Sequence, residues 1–523
     1  MYPVVEPNSP LKAAQTFGFK SSLCLLGLVI VFQSGFFIRK LNAPWVDEID
    51  FNGAVWSQAA HTLLRSNWLE NAGLPAPFYF GPMPVPNEEY YVHHPTLLAW
   101  LVAASFQIFG EHEWAARLVP ILASLAGTIL VWLIVRRSAG ESAAVLSAAI
   151  FATMPMELCM GQMVNFEPLA LMFALVGFLG WSLFESTEKP AWRWLMIAGS
   201  VGAMLVGWTG YMVVIMGCIL LLVFQRKKYG RLALGLIGMA IVLSLLFLVQ
   251  ISFVRADAID DAMDSFRWRM GQSSGNENFT LVQWALKAGQ SMLSFIPVSR
   301  WLIALAGLLV MWARRSACPG LKKLGWISLC FFLMNLAYVT IFRNASYIHD
   351  YASFYFMVPV ALMGGPGLRA LFAACTKIPV RIPETAWISL ALVILGFLGW
   401  RESRDLLTPE YILTASDAEP QNLIPSLGRF IQKEFSPDSD VICNFDLYYA
   451  PQLRYYAKRD ILNGLMDDDD WQTYIEAEHP KGGIIWMGAP GAAEIVSSLK
   501  PGTTHPVTIE GIPFSVWHPQ YTP

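Results

Sequence analysis

The sequence predicts a polytopic α-helical membrane protein of about eleven spans followed by a small C-terminal extracytoplasmic α/β domain, and three observations carry that expectation. The 523 residues are 55% hydrophobic and only 14% charged, with a mean hydropathy of +0.45, which is too apolar for an ordinary soluble protein of this length. Apolar runs start near residues 19, 114, 142, 167, 192, 210, 232, 297, 325, 350 and 384. The alternate connections between them are basic, as cytoplasmic loops are. The 20 Trp, 17 Tyr and 32 Phe suit many membrane–water boundaries, where amphipathic rings settle. A net charge of −3 excludes the global basic field that drives nucleic-acid binding, so no nucleic-acid partner is expected.

The first run, Phe19 to Ile38, lacks a small-x-small cleavage site after it and reads as a retained span with a cytoplasmic N-terminus. The inner segments then hold Lys12 and Lys20, Arg136 and Arg137, Lys189 and Arg193, Arg226 to Lys228 with Arg231, Arg314 to Lys323, and Lys377 with Arg381. This parity requires Thr96 to Phe109 not to cross, and about 14 residues is short for a span. The stretch is therefore placed as an interfacial helix inside one outer loop, 39–113, which also contains the Pro-rich run Leu74 to Pro86. Trp192 to Phe224 must be two short spans joined at Gly207-Trp208-Thr209-Gly210.

Residues 1–400 thus form the membrane domain. After Trp400 charges return, and 401–523 reads as the outer α/β domain, with strands at Val441 to Phe445 and Gly483 to Met487 and helices around Gln452 to Lys458 and Ala492 to Leu499. The seven cysteines show no CxxC and no metal-ligand spacing, so they read as packing residues.

The unusual polar residues fall on the outer side. Asp47 and Glu48 follow the first span; as a helix start they are good capping and dipole chemistry for Phe51 to Leu64, and as a site an aspartate there accepts a proton from an incoming hydroxyl. Tyr91, His93 and His94 precede Pro95, Glu167 lies at the mouth of the next outer turn, and His349, Asp350 and Tyr351 precede a late span. Arg267 and Arg269, in the outer segment 255–290, offer guanidinium forks that match phosphate oxygens. A divalent metal between an imidazole and a carboxylate is a candidate cofactor, but non-local ligands give no spacing test and the metal stays unassigned. Asp467 to Asp470 reads as a helix N-terminus.

At these residues the chain resembles the GT-C membrane glycosyltransferases, in particular the protein O-mannosyltransferase and aminoarabinose-transferase-like branch, over most of 19–400. The likeness rests on Asp47-Glu48, on the Tyr90 to Leu98 stretch with its His93-His94-Pro95, on Arg117-Leu118-Val119-Pro120, on Asn165-Phe166-Glu167-Pro168 and on His349-Asp350-Tyr351. The resemblance implies transfer of a sugar from a polyprenyl-phosphate-linked donor lipid to a protein, lipid or glycan acceptor outside the plasma or inner membrane, with inversion. Asp47 would be the general base, with Glu48 and Glu167 beside it. Tyr91, His93, His94, His349 and Tyr351 would bind substrate, and Arg267 or Arg269 would neutralise the leaving phosphate. The Gly207 to Tyr211 turn lacks the lysine that the family often has there. A transporter of lipid or sugar is the competing class; its polar residues would sit near the midplane in broken helices rather than at outer span ends. A lipid-linked glycan ligase shares the chemistry and stays open.

Overall fold

Backbone groups in hydrocarbon must be satisfied within their own segment, so apolar runs of this length fold as helices. The computed structural model describes residues 17–46, 50–81, 83–273, 278–314, 318–375, 383–404, 406, 420–436, 441–444, 450–463, 483–487 and 502–519. The chain begins with α1 (Phe19–Ile38), and the loop region that follows carries α2 (Phe51–Arg65), the one-turn α3 (Trp68–Asn71) and α4 (Leu97–Phe109). Next come α5 (Glu113–Ala139), α6 (Glu141–Ala152), α7 (Pro155–Met160), α8 (Phe166–Thr187), α9 (Pro190–Val206), α10 (Trp208–Phe224) and α11 (Arg226–Val254). A second excursion holds α12 (Ala258–Met270) and α13 (Leu281–Phe295). The bundle is completed by α14 (Val298–Arg314), α15 (Pro319–Ile341), the short α16 (Arg343–Ile348), α17 (Met357–Cys375) and α18 (Glu384–Arg404).

Among the described residues, seven helical segments are long and apolar enough to cross a membrane, and α13 with α14, bent by 84°, makes an eighth if the pair counts as one span. The sequence expectation of about eleven also counts α6, α9 and α10. These have 12, 17 and 17 residues, less than a straight crossing needs. The break between α9 and α10 falls at Gly207, where the sequence places it. α4 has 13 residues and buries Leu98, Val102 and Phe106, at i, i+4 and i+8, in a cluster with α2 and α5. Small residues bring α8 and α9 together: a Cβ on Gly199 would collide with the backbone of Gly177 and Phe173. Gln33 in α1 donates to Glu157 on α7 and accepts from Thr128 in α5, both at 2.8 Å, and all three are buried. That network fixes the register of three elements in a medium with no competing water.

One expectation about the first loop changes. The N-cap residue of α2 is Asp50, not Asp47, and its side chain makes no cap bond. Its carboxylate instead accepts from Arg117 at 2.8 Å, because a buried guanidinium outcompetes an amide for it.

The C-terminal region is α/β, as the sequence predicts. It contains α19 (Pro420–Glu434), β1 (Val441–Asn444), α20 (Ala450–Ala457), β2 (Ile461–Asn463), β3 (Gly483–Met487), β4 (Gly502–Ile509) and β5 (Ile512–Pro519). The sheet order is β2-β1-β3-β5-β4; β1 pairs parallel with β2 and β3, and β5 antiparallel with β3 and β4. Leu423, Leu427 and Ile431 of α19 form one stripe on the sheet core of Val441, Cys443, Ile485, Phe514 and Val516. The two-residue turn Glu510-Gly511 has φ of 51° and 80°, the left-handed pair that a tight hairpin needs. Phe445, Ala492 to Leu499 and Asp467 to Asp470 lie outside the described residues. α20 docks on the membrane domain: Gln58 donates to the Pro451 carbonyl at 2.7 Å, Arg454 to that of Phe78 at 3.1 Å, and Tyr456 to Glu113 at 2.7 Å.

Candidate active site

The loop between α3 and α4 is held by aromatic packing and by the start of α12. Arg255 donates to both carboxylate oxygens of Asp257, pairs with Asp261 at 2.9 Å and reaches the Glu88 carbonyl at 3.2 Å. Asp261 in turn takes His93 Nε2 at 3.1 Å, and the Trp208 indole donates to the His93 carbonyl at 2.7 Å. His93 is therefore a strut between loop and α12. Burial lowers its pKa, partly offset by the Asp261 carboxylate.

His94 is the inward member of the pair. Its ring is coplanar with Tyr91, whose hydroxyl lies 2.6 Å from Nδ1, and it stacks on Phe166 at 4.5 Å. Burial and the Arg269 charge hold His94 well below the usual imidazole range, while burial pushes the Tyr91 phenol up to about 12. At neutral pH the phenol therefore donates to a neutral imidazole, which keeps its own proton on Nε2.

Arg269 sits at the centre of this arrangement. Its guanidinium bonds Tyr91 and acts electrostatically on His94, His349, Tyr338 and Tyr351. His349 stacks on Tyr351 at 4.9 Å, and burial with Arg269 takes its pKa down to about 4. Residues i and i+2 leave a helix on different faces, so Arg267 cannot share this position. It pairs instead with Asp264 at 3.0 Å and is 56% exposed.

Glu167 opens α8 beside Phe166, is 4% exposed, and acts on the same tyrosines, Tyr338 and Tyr351, together with Tyr355. Its Oε2 is buried with no hydrogen-bond partner among the described residues. Asp47 and Glu48 lie outside the described residues. Their neighbours Trp45 and Asp50 line a small cavity with Lys40, Arg117, Gln162 and Met163. α2 ties that cavity to the His94 cluster, since Asn52 reaches Met163 and Trp56, one turn on, packs on Phe166 and Tyr91.

The structure thus gathers Tyr91, His94, Glu167, Arg269, His349 and Tyr351, uses His93 as a support, and turns Arg267 away. Asp261, Tyr338 and Tyr355 went unmarked in the sequence. The two tyrosines sit in apolar runs where an aromatic reads as packing, and Asp261 reads as one acid of a polar helix face. Among the described residues the loops supply no group of three ligands within metal-binding reach.

A sequence model of the dolichyl-phosphate-mannose-protein mannosyltransferase family matches residues 93–251, the stretch that holds His93, His94 and Glu167. Two Bacillus subtilis (strain 168) proteins provisionally named as mannosyltransferases are similar in part. YkcB is 27% identical over 107 residues, 20% of this chain and 15% of that protein, and YycA is 24% identical over 192 residues, 35% and 26%. The chain therefore matches well under half the length of these relatives. Among solved structures, ArnT from Cupriavidus metallidurans bound to undecaprenyl phosphate superposes with a TM-score of 0.61 at 12% identity, covering 94% of this chain and 97% of that one. The archaeal oligosaccharyltransferase AglB from Archaeoglobus fulgidus, in complex with an inhibitory peptide and a dolichol-phosphate, gives 0.54 at 11% identity, covering 90% and 70%.

The fold is thus that of a multi-pass membrane protein of GT-C type, shared with ArnT and AglB. The segment that resembles the mannosyltransferase family model supplies His94, Phe166 and Glu167 to the cluster.

Proposed function

We propose that the protein is a glycosyltransferase that moves a sugar from a polyprenyl-phosphate-linked donor to an acceptor on the extracytoplasmic face, with inversion. The observation that carries this reading is Arg269, a guanidinium set among neutral imidazoles and phenols and facing the same tyrosines as the buried Glu167. A cation in a site with little water is suited to a phosphate that gains charge as the glycosidic bond breaks. The acceptor hydroxyl attacks the anomeric carbon while the Asp47 carboxylate takes its proton. The carbon–oxygen bond to the donor phosphate breaks, and its electron pair stays on the phosphate oxygen beside Arg269. His94 Nε2–H and the phenols orient sugar or phosphate oxygens, and Glu167 accepts from a sugar hydroxyl. In this reading the N-terminus is cytoplasmic, the α/β domain is outside, and the membrane is the plasma or inner membrane, in keeping with the basic alternate loops.

The test is transfer by purified protein in vesicles from labelled polyprenyl-phosphate sugars. Wild type releases free polyprenyl phosphate in step with acceptor labelling, and Asp47→Asn stops both while still binding donor. An Asp47→Asn protein that turns over donor at the wild-type rate removes the assignment of the base. Mass spectrometry of copurifying lipids then names the sugar.

A further inference from the structure

The β4–β5 ladder sets two histidines on one face of the C-terminal sheet. His518 pairs with Thr503, and His505 lies two residues on from Thr503, so both imidazoles stand on the same side as diagonal neighbours. That side is the one α19 covers. Along it the apolar partners Ile512 with Ile509, Phe514 with Val507 and Val516 give way at the open end to His505 and His518. The helix above ends there on Glu434.

All three side chains converge. The Nε2 atoms of His518 and His505 lie 3.1 and 3.7 Å from the same oxygen, Glu434 Oε1, and the two rings are parallel within 3°. Phe435 stacks on His518 at 4.9 Å and fixes the angle of that ring. The three ligand atoms all lie within 4.8 Å of one another. A tetrahedral zinc with bonds near 2.1 Å keeps neighbouring ligand atoms about 3.4 Å apart, midway between the two distances found here. Two imidazole nitrogens with one carboxylate oxygen suit a borderline ion such as zinc; calcium and magnesium prefer all-oxygen shells.

We propose that Glu434, His505 and His518 form a zinc site, with solvent in the fourth position, that fastens the end of α19 to the β4–β5 hairpin. The ligands come from separate elements and sit on a half-exposed edge, so the ion acts as a staple between them. The site is remote in sequence from the residues assigned to transfer and does not depend on that assignment.

The experiment uses the full chain in detergent, stripped with EDTA and titrated with zinc chloride or magnesium chloride. Bound metal is counted by mass spectrometry and the unfolding midpoint is followed in parallel. Wild type is expected to hold one more zinc per chain than the His505→Ala/His518→Ala double variant. Zinc should raise the midpoint of wild type but not of the variant, and magnesium should raise neither. Losing a ligand should weaken zinc more than the roughly 10- to 100-fold that an outer-shell change costs. Should the double variant fold poorly, His505→Asn at the more exposed position carries the same comparison. Equal zinc content and equal midpoint shifts in wild type and variant, or no zinc bound by wild type, would overturn the proposal.

Discussion

Arg269→Gln is the perturbation on which the proposed chemistry turns, since it removes the guanidinium that acts on Tyr91, His94 and His349. A guanidinium that binds phosphate by two charge-assisted hydrogen bonds, each about 1.5–3 kcal/mol, contributes about 3–6 kcal/mol. Removal therefore weakens polyprenyl phosphate binding roughly 10²- to 10⁴-fold. Arg269→Lys keeps the charge and loses the fork, and recovers part of the affinity. Arg267→Gln is the matched control: it breaks an exposed ion pair with Asp264, an interaction worth about 0–1 kcal/mol, and leaves lipid binding within about twofold. The assay is titration of polyprenyl phosphate into protein in nanodiscs, followed by tryptophan quenching and checked by native mass spectrometry. Lipid affinity of Arg269→Gln within twofold of wild type, or an equal loss in Arg267→Gln, would refute the placement of the phosphate.

Three further outcomes are expected. His349 is held near 4 against an ordinary 6.5, so it is neutral in the fold; its contribution is fully present above about pH 6.5 and is lost as pH falls toward 4, up to about 3 kcal/mol, with His94 acting in the same direction. Unfolding midpoints of wild type and His349→Gln between pH 7.5 and 4.5 read this, with a flatter profile expected for the variant. Arg117→Met strands the buried Asp50 carboxylate and removes the cation stacked 3.9 Å from the Trp45 ring, a loss of about 3–5 kcal/mol that thermal unfolding detects. Tyr456→Phe deletes the bond to Glu113 and the acceptor for the Trp45 amide, loosening α20 by about 2 kcal/mol and speeding proteolysis of the C-terminal domain without a change in the membrane-domain fragment pattern.

The membrane domain was legible because hydrocarbon imposes one simple rule on composition. The parity of the alternating basic loops required a break in Trp192 to Phe224, and the break between α9 and α10 is found at Gly207. The short helices resisted a length test, since α6 and α10 owe their place to packing against neighbours. At the site, His94, Glu167 and Arg269 stood out as polar residues beside apolar runs. What could not be read was which arginine faces inward and which histidine is a strut, because those depend on the phase of α12 and on Asp261. In the C-terminal domain the alternation Ile512, Phe514, Val516 beside Glu510-Gly511 is a hairpin signal, yet β4 and β5 were not among the expected strands.

The bent pair α13 and α14 bears on how substrate arrives. Leu281, Val282, Leu286 and Leu293 of α13 are exposed, the helix turns 84° from α14, and it packs on α16 and the Asp350–Phe356 turn, next to His349 and Tyr351. A lipid-borne molecule would reach Arg269 by sliding sideways within the leaflet instead of emerging into water. Turnover would then follow the mole fraction of that lipid in the membrane, and diluting the same vesicles in buffer would leave the rate per protein unchanged.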